Sequence, residues 1–107
     1  MFARTTQFEV DTVRVNFDEE QRHFEEQVLP ELRKQPGYAG MLLMRTPEGA
    51  GLLISLWETE EAAKAGLASG FYQEQVRKFL TVMRQPPGRE QYEVLRIEGV
   101  SALNTAS

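Results

Sequence analysis

The amino-acid sequence predicts an α+β fold with the element order β-α-β-β-α-β, in which a mainly antiparallel sheet carries two helical segments on one face. Two apolar runs, Met41–Met44 and Leu52–Leu56, flank the turn-rich segment 46–51, and this pattern is typical of a β-hairpin. Neither run has a clean polar face, which indicates a sheet that is covered on both sides. The segments on either side of the hairpin show strand and helix periodicity in turn, and they supply the other strands and the helices.

The first strand and the first helix precede the hairpin. Residues 2–10 alternate between the two faces of a strand, and one of these faces is more polar. Asn16 stands where its side chain can cap a following helix. The apolar stripe of that helix consists of Phe17, Phe24, Val28 and Leu32. Pro30 lies inside the stripe and predicts a kink over residues 26–30, because proline lacks a backbone donor and crowds the preceding turn.

The second half of the chain supplies another helical segment and a last strand. Thr59 is predicted to cap a helix that packs through small residues such as Ala62 and Ala63. A further helical stripe consists of Tyr72, Val76, Phe79 and Met83. Prolines 86 and 87 end it, and residues 91–98 alternate as a last strand. We therefore expect a single domain over residues 1–100, followed by a small, polar and disordered tail over residues 101–107.

Composition excludes several classes of protein. The 107 residues carry a formal net charge of −4, so no basic surface favours nucleic acid or an anionic membrane. The absence of cysteine excludes thiolate catalysis, and one histidine with scattered acidic residues predicts no metal site. No signal peptide is recognisable, and no apolar run approaches the ~20 residues that span a bilayer. We therefore expect a cytoplasmic protein.

The sheet face that the helices leave uncovered predicts a second copy of the chain. Leucine, methionine, tryptophan and isoleucine side chains on that face would form an apolar patch that soluble monomers rarely expose. A standard interface of ~1,600 Å², if ~60% apolar and at ~25 cal/mol per Å², gives a gross gain of ~24 kcal/mol. This exceeds the upper estimate of ~15 kcal/mol for immobilising two partners. We therefore expect a symmetric homodimer in which two sheets pair face to face.

Three segments carry a resemblance to a known family. They span residues 27–32, 35–40 and 56–62 and read QVLPEL, QPGYAG and LWETEEA. Through them, and over roughly residues 2–98, the chain resembles the antibiotic-biosynthesis-monooxygenase-like family of the dimeric α/β-barrel superfamily. The resemblance implies a ferredoxin-like protomer whose sheet pairs with a second copy to form a barrel. Members include cofactor-independent oxygenases of polycyclic phenols, quinol monooxygenases, haem-degrading enzymes and proteins with no known activity.

The resemblance also implies an activity and a set of site residues. Haem-degrading members need a histidine on the second helix, and residues 59–85 contain none, which argues against haem degradation. The phenol oxygenases resemble this chain at Trp57 and Tyr72, although Leu53 stands where their strand carries an asparagine. The implied function is a cofactor-free monooxygenase of a small aromatic phenol or quinol, with Trp57 and Tyr72 as catalytic residues. The substrate-binding residues would be Tyr38, Phe71, Phe79 and Met83.

Each candidate residue also has a structural interpretation. Core packing is favoured for Trp57, because a buried tryptophan is usually structural, and for Tyr72, because it belongs to an apolar helical stripe. His23 lies roughly 135° from the centre of the first helical stripe at ~100° per residue, which predicts solvent exposure. Arg4 and Arg96 could bind a phenolate or a carboxylate, but salt bridges to glutamates of neighbouring strands are favoured.

Two functions therefore remain open at this point. The first is the monooxygenase. The alternative is a non-catalytic small-molecule-binding or stress-associated dimeric α/β-barrel protein, which fits a pocket without a recognisable general base. An RNA-recognition sheet of similar strand order is excluded, because that would require exposed aromatic residues on the central strands and a basic surface.

Overall fold

The computed structural model describes residues 1–68 and 88–99, which form a four-stranded sheet with helices packed against it. The strands are β1 (Phe2–Glu9), β2 (Tyr38–Arg45), β3 (Ala50–Trp57) and β4 (Gly88–Glu93). They lie in the order β2-β3-β1-β4, and every neighbouring pair is antiparallel. This arrangement is the ferredoxin-like α+β fold, and it confirms the predicted fold class.

The first helical segment consists of α1 (Phe17–His23), a π-helical turn (Phe24–Val28) and α2 (Leu29–Arg33). Asn16 precedes it with an extended backbone, and its side-chain oxygen accepts hydrogen bonds from the next free backbone N–H groups. The donor of Asp18 lies 2.8 Å away and that of Glu19 lies 3.3 Å away. These bonds satisfy donors that have no partner inside the helix, which confirms Asn16 as the cap.

The kink predicted at Pro30 takes the form of the π-helical turn. In a regular α-helix the proline ring would crowd the carbonyl four residues earlier. In the wider turn, the backbone N–H of Leu29 instead donates to the carbonyl of Phe24, five residues earlier. Pro30 then lies in the first turn of α2, where a backbone N–H would have no acceptor within the helix, so its absence breaks no hydrogen bond.

The start of α1 is attached to the sheet through Phe17, which is buried. Its ring stacks on that of Phe8 from β1, with the centroids 6.3 Å apart. The guanidinium of Arg45 lies 4.7 Å from the centroid of the Phe17 ring and pairs with Asp18 at 3.2 Å. Gly51 makes room for this cluster, because a Cβ atom at that position would overlap the ring of Phe8.

The hairpin between β2 and β3 closes through Thr46. Its backbone N–H donates to the carbonyl of Ala50 at 2.7 Å, and its hydroxyl accepts from the N–H of Ala50 at 3.2 Å. Gly49 has a φ of 95°, which glycine adopts without a steric penalty, and its carbonyl accepts from the N–H of Val10 at 2.9 Å. The predicted hairpin is therefore confirmed, and its turn is fixed to the end of β1.

Helix α3 (Glu60–Ala68) begins where the sequence predicts. The Thr59 hydroxyl accepts from the backbone N–H of Ala62 at 3.0 Å, which confirms the cap. Ala63 is completely buried, in agreement with a packing face of small residues. The predicted stripe over residues 72–83, the stop at residues 86–87 and the tail over residues 101–107 lie outside the described residues.

The last strand lies earlier than predicted, at Gly88–Glu93 instead of residues 91–98. Its one neighbour in the sheet is β1, whose first residue, Phe2, pairs with Glu93. Just beyond that pair, the N–H of Val94 donates to the carbonyl of Met1 at 2.9 Å. Leu95 is 88% exposed and Ile97 is 45% exposed. Sequence alternation continues past residue 93, but the pairing with β1 ends at Phe2 and Glu93.

The strand register sorts the side chains of the sheet onto two faces. The face that the helices cover, here called the helix side, carries Phe2, Arg4, Thr6, Phe8, Tyr38, Met41, Leu43, Leu53, Ser55 and Trp57. The opposite face carries Ala3, Thr5, Leu42, Met44, Leu52, Ile54 and Leu56. A buried cluster of Leu32, Trp57 and Ala63 joins α2, β3 and α3, and it fixes these helices to the helix side. The tryptophan therefore lies against the helices and not on the uncovered face, where the sequence predicted it.

Candidate functional site

Trp57 lies at the end of β3, between the sheet and helices α2 and α3. It is 2% exposed and packs with Leu32 and Ala63. Its indole N–H donates a hydrogen bond to the hydroxyl oxygen of Ser55, 2.9 Å away. The sequence identified Trp57 but missed this partner. The available signal was the spacing, since residues i and i+2 of a strand lie on the same face.

Tyr38 lies beside Trp57 because the two residues are paired in the β2–β3 register. The two rings form an edge-to-face contact, with centroids 6.0 Å apart and planes at 82°. Burial raises the pKa of the Tyr38 phenol above its usual value of 10.0, and the positive charge of Arg33 opposes this shift. Tyr38 is therefore a neutral hydroxyl at physiological pH, suited to donating a hydrogen bond.

Alkaline conditions are expected to reduce the stability that Tyr38 contributes. Its folded-state pKa is raised, so the native protein holds the phenol proton more tightly than the unfolded chain does. This contribution is complete below pH 10.0 and is lost as the pH rises through the raised value. The unfolding free energy of the wild type should therefore fall more between neutral and strongly alkaline pH than that of Tyr38→Phe, as measured by urea unfolding. Equal losses in the two proteins would refute this expectation.

Three polar residues, Arg4, Thr6 and Ser55, lie on the helix side at the centre of the sheet and are here called the polar strip. All three are half-buried. Arg4 is paired directly with Ser55 across the β1–β3 register, and Thr6 is paired with Leu53. Their side chains give this part of the sheet hydrogen-bonding groups that the surrounding apolar core lacks. The sequence singled out Arg4 and missed Thr6 and Ser55.

The remaining predicted residues divide into those the structure describes and those it does not. Tyr72, Phe71, Phe79 and Met83 lie outside the described residues, so their roles stay predictions. His23 is exposed, as predicted. Arg96 forms an ion pair at 3.1 Å, but its partner is the nearby Glu98 and not a residue of a neighbouring strand.

Two other types of feature are absent from the described part of the chain. Within residues 1–68 and 88–99, no group of three or more acidic, histidine or cysteine side chains is placed to hold a metal ion. Over the same ranges, no helix has the length and apolar character needed to cross a membrane.

Comparison with known proteins gives both a family and a set of similar folds. The family model of the antibiotic biosynthesis monooxygenases matches residues 1–78. A protein of unknown function from Nitrosomonas europaea is 15% identical, with 91% of each chain covered and a TM-score of 0.72. An asparagine-to-alanine variant of SnoaB, a cofactor-independent oxygenase from Streptomyces nogalater, is 13% identical over 91% of this chain and 95% of that one, with a TM-score of 0.72.

Rv0793 from Mycobacterium tuberculosis is 13% identical over 92% of this chain and 98% of that one, with a TM-score of 0.70. At these identities the solved structures establish the fold and leave the activity open. No curated protein sequence matches the chain significantly.

Proposed function

We propose that this chain, which belongs to the antibiotic biosynthesis monooxygenase family, is a cofactor-independent monooxygenase of a small aromatic phenol or quinol. The observation that carries the proposal is the edge-to-face pair of Tyr38 and Trp57, which lies on the same side of the sheet as the polar strip. Aromatic walls with a few polar groups beside them suit a flat ring that bears oxygen substituents. The fold shared with SnoaB, a cofactor-independent oxygenase, supports the same class of reaction.

In the proposed reaction, the substrate itself supplies the electrons. A phenolate ring reduces dioxygen, and one oxygen atom forms a new bond to a ring carbon that ends as a carbonyl. The other oxygen atom leaves as water with two hydrogens taken from the substrate, so no external reductant is required. The protein contributes by holding the ring, favouring the anion and excluding water.

The roles of Trp57 and Tyr38 are proposed from their positions in the structure, and the roles of the residues outside the described ranges are proposed from the sequence. Trp57 is proposed as a wall of the pocket, since its one N–H already donates to Ser55. Tyr38 is proposed as a neutral hydroxyl at the pocket mouth. Tyr72 is proposed as a second orienting residue, on sequence grounds. The apolar walls, also proposed on sequence grounds, are Phe71, Phe79 and Met83.

The active form is proposed to be a homodimer that pairs through the opposite face of the sheet. Leu42 and Ile54 lie on that face next to Met44, which is 43% exposed. A second sheet would cover these apolar side chains and complete a barrel. Light scattering at micromolar protomer concentration should report twice the protomer mass. A stable species with the mass of a single protomer would contradict the dimer.

Oxygen uptake tests the enzymatic proposal. The protein is incubated aerobically with a panel of hydroquinones and anthrones, and dissolved oxygen is followed. For the anthrones, the proposed reaction consumes one molecule of dioxygen for each molecule of product. Trp57→Phe keeps a ring and loses the indole N–H, so its rate should fall below that of the wild type. An absence of catalysed uptake across the panel would reject the monooxygenase.

That outcome would favour a non-catalytic small-molecule-binding or stress-associated dimeric barrel. One observation already points in this direction. Among the described residues, Tyr38 has its pKa moved away from neutrality and the one histidine, His23, is exposed. Neither is therefore suited to take a proton from a buried phenol at neutral pH.

A further inference from the structure

We infer that Ser55, and not Trp57, donates the hydrogen bond to the substrate oxygen, and that Arg4 beside it selects the anionic form of the ring. This inference rests on the proposed function, because it assigns the oxygen-binding subsite of the same site. The ligand class is an aromatic or quinoid ring with an acidic hydroxyl that binds as its oxyanion.

The indole N–H of Trp57 already has a hydrogen-bond partner. An indole has a single N–H, and that of Trp57 is directed at the Ser55 oxygen, 2.9 Å away. A hydroxyl group can accept this bond and still donate its own proton. Accepting a hydrogen bond polarises the hydroxyl and makes it a better donor. The indole therefore prepares Ser55 as the donor instead of meeting the ligand itself.

Ser55 faces the same side of the sheet as Trp57. Ser55 precedes Trp57 by two residues on β3, so both side chains lie on the helix side. Trp57 is almost completely buried there, whereas Ser55 is half-buried and lies two residue pairs nearer the centre of the sheet. Of the two hydrogen-bonded residues, Ser55 is therefore the one whose side chain a ligand can reach.

Arg4 places a positive charge beside Ser55. Arg4 is directly opposite Ser55 in the antiparallel register, and such cross-strand pairs place their Cβ atoms about 4.5–5.5 Å apart. A single oxygen between the two strands can therefore contact the hydroxyl and the guanidinium together. Arg4 already has an interaction within the protein, but a guanidinium has five N–H donors and can hold a second acceptor. Hydrogen bonds to an oxyanion are roughly twice as strong as those between neutral groups.

The probe for this subsite is 4-nitrophenol, whose visible absorbance shows whether it is ionised. Its binding can be measured without any catalytic turnover. Binding to the wild type should lower the apparent pKa of the nitrophenol, since the site stabilises its anion. Ser55→Ala should weaken binding of the anion by about tenfold to a hundredfold and should weaken binding of the neutral phenol less. Arg4→Gln should reduce the lowering of the nitrophenol pKa.

Matched variants separate a specific role from a general loss of structure. Ser55→Thr keeps a hydroxyl on a residue that suits a strand, so it should restore most of the anion affinity. Arg4→Lys keeps the charge and should retain part of the pKa shift. Thr12→Ala removes an exposed hydroxyl outside the sheet and should leave nitrophenol binding unchanged. If Ser55→Ala does not fold, the threonine variant and the two Arg4 variants still decide the question.

The outcomes distinguish this inference from the proposed function. Nitrophenolate affinity that is unchanged in Ser55→Ala and Arg4→Gln would overturn the inference, while oxygen uptake could still support the enzyme. A wild type that binds no nitrophenol, or binds the neutral form better, would overturn it as well. Anion binding that depends on both residues, without turnover of any phenol or quinol, would support the subsite and reject the monooxygenase.

Discussion

Trp57→Ala is expected to destabilise the folded protein by about 3–5 kcal/mol. Trp57 is the largest side chain that is almost fully buried in the described core, at 2% exposed. Its removal would leave a cavity between β3 and the helices, beside Leu32 and Ala63. It would also deprive the half-buried Ser55 hydroxyl of its donor.

Urea unfolding at one fixed protomer concentration measures this effect, because a self-associating protein unfolds at a concentration-dependent midpoint. Leu95→Ala is the matched control, since Leu95 is 88% exposed and its loss should change stability by less than about 0.5 kcal/mol. Trp57→Phe should lie between the two. A loss of under about 1 kcal/mol for Trp57→Ala would show that Trp57 is not a central core residue.

Gly37→Ala is expected to destabilise the protein by about 2–5 kcal/mol, from two separate causes. Gly37 has a φ of 80°, in the left-handed region where a Cβ atom is unfavourable. A Cβ atom there would also overlap the side chain of Ala62 on α3. The position cannot simply move away, because the Gly37 carbonyl accepts the N–H of Glu58 at 2.8 Å.

A double-mutant cycle separates the two causes. Ala62→Gly alone should lower the unfolding free energy by about 1 kcal/mol, as expected for glycine within a helix. In that background, Gly37→Ala should be less harmful than in the wild type, with a coupling of at least about 0.5 kcal/mol, because the overlap is gone and only backbone strain remains. Independent, additive losses would show that the overlap with Ala62 has no part in the effect.

The sequence predicts most of the fold because its signals are local. The caps at Asn16 and Thr59 need only a polar side chain within reach of the next few amides, and the hairpin turn at 46–49 needs only its own residues. The end of β4 was predicted wrongly because it depends on pairing with β1, a strand more than eighty positions away in the chain. Pairing of this kind leaves no trace in the alternation of a single strand.

In the candidate site, too, local features can be predicted from the sequence and long-range pairing cannot. Trp57 and Tyr38 are recognisable by residue type and by the resemblance of their surroundings. The bond from Trp57 to Ser55 could have been inferred from their spacing on one strand. The pairing of Arg4 with Ser55 could not, because it requires the register between the first strand and the second half of the hairpin. Tyr72 and the other residues assigned to the second helical segment remain predictions.

The π-helical turn at Phe24–Val28 also affects local unfolding of the first helical segment. Helical hydrogen bonding propagates residue by residue, and Pro30 interrupts that propagation at a fixed place. The section before it is attached to the sheet through Phe17, and the section after it is attached through Leu32. The two sections can therefore exchange their amide protons as separate units, and loss of one attachment need not release the other.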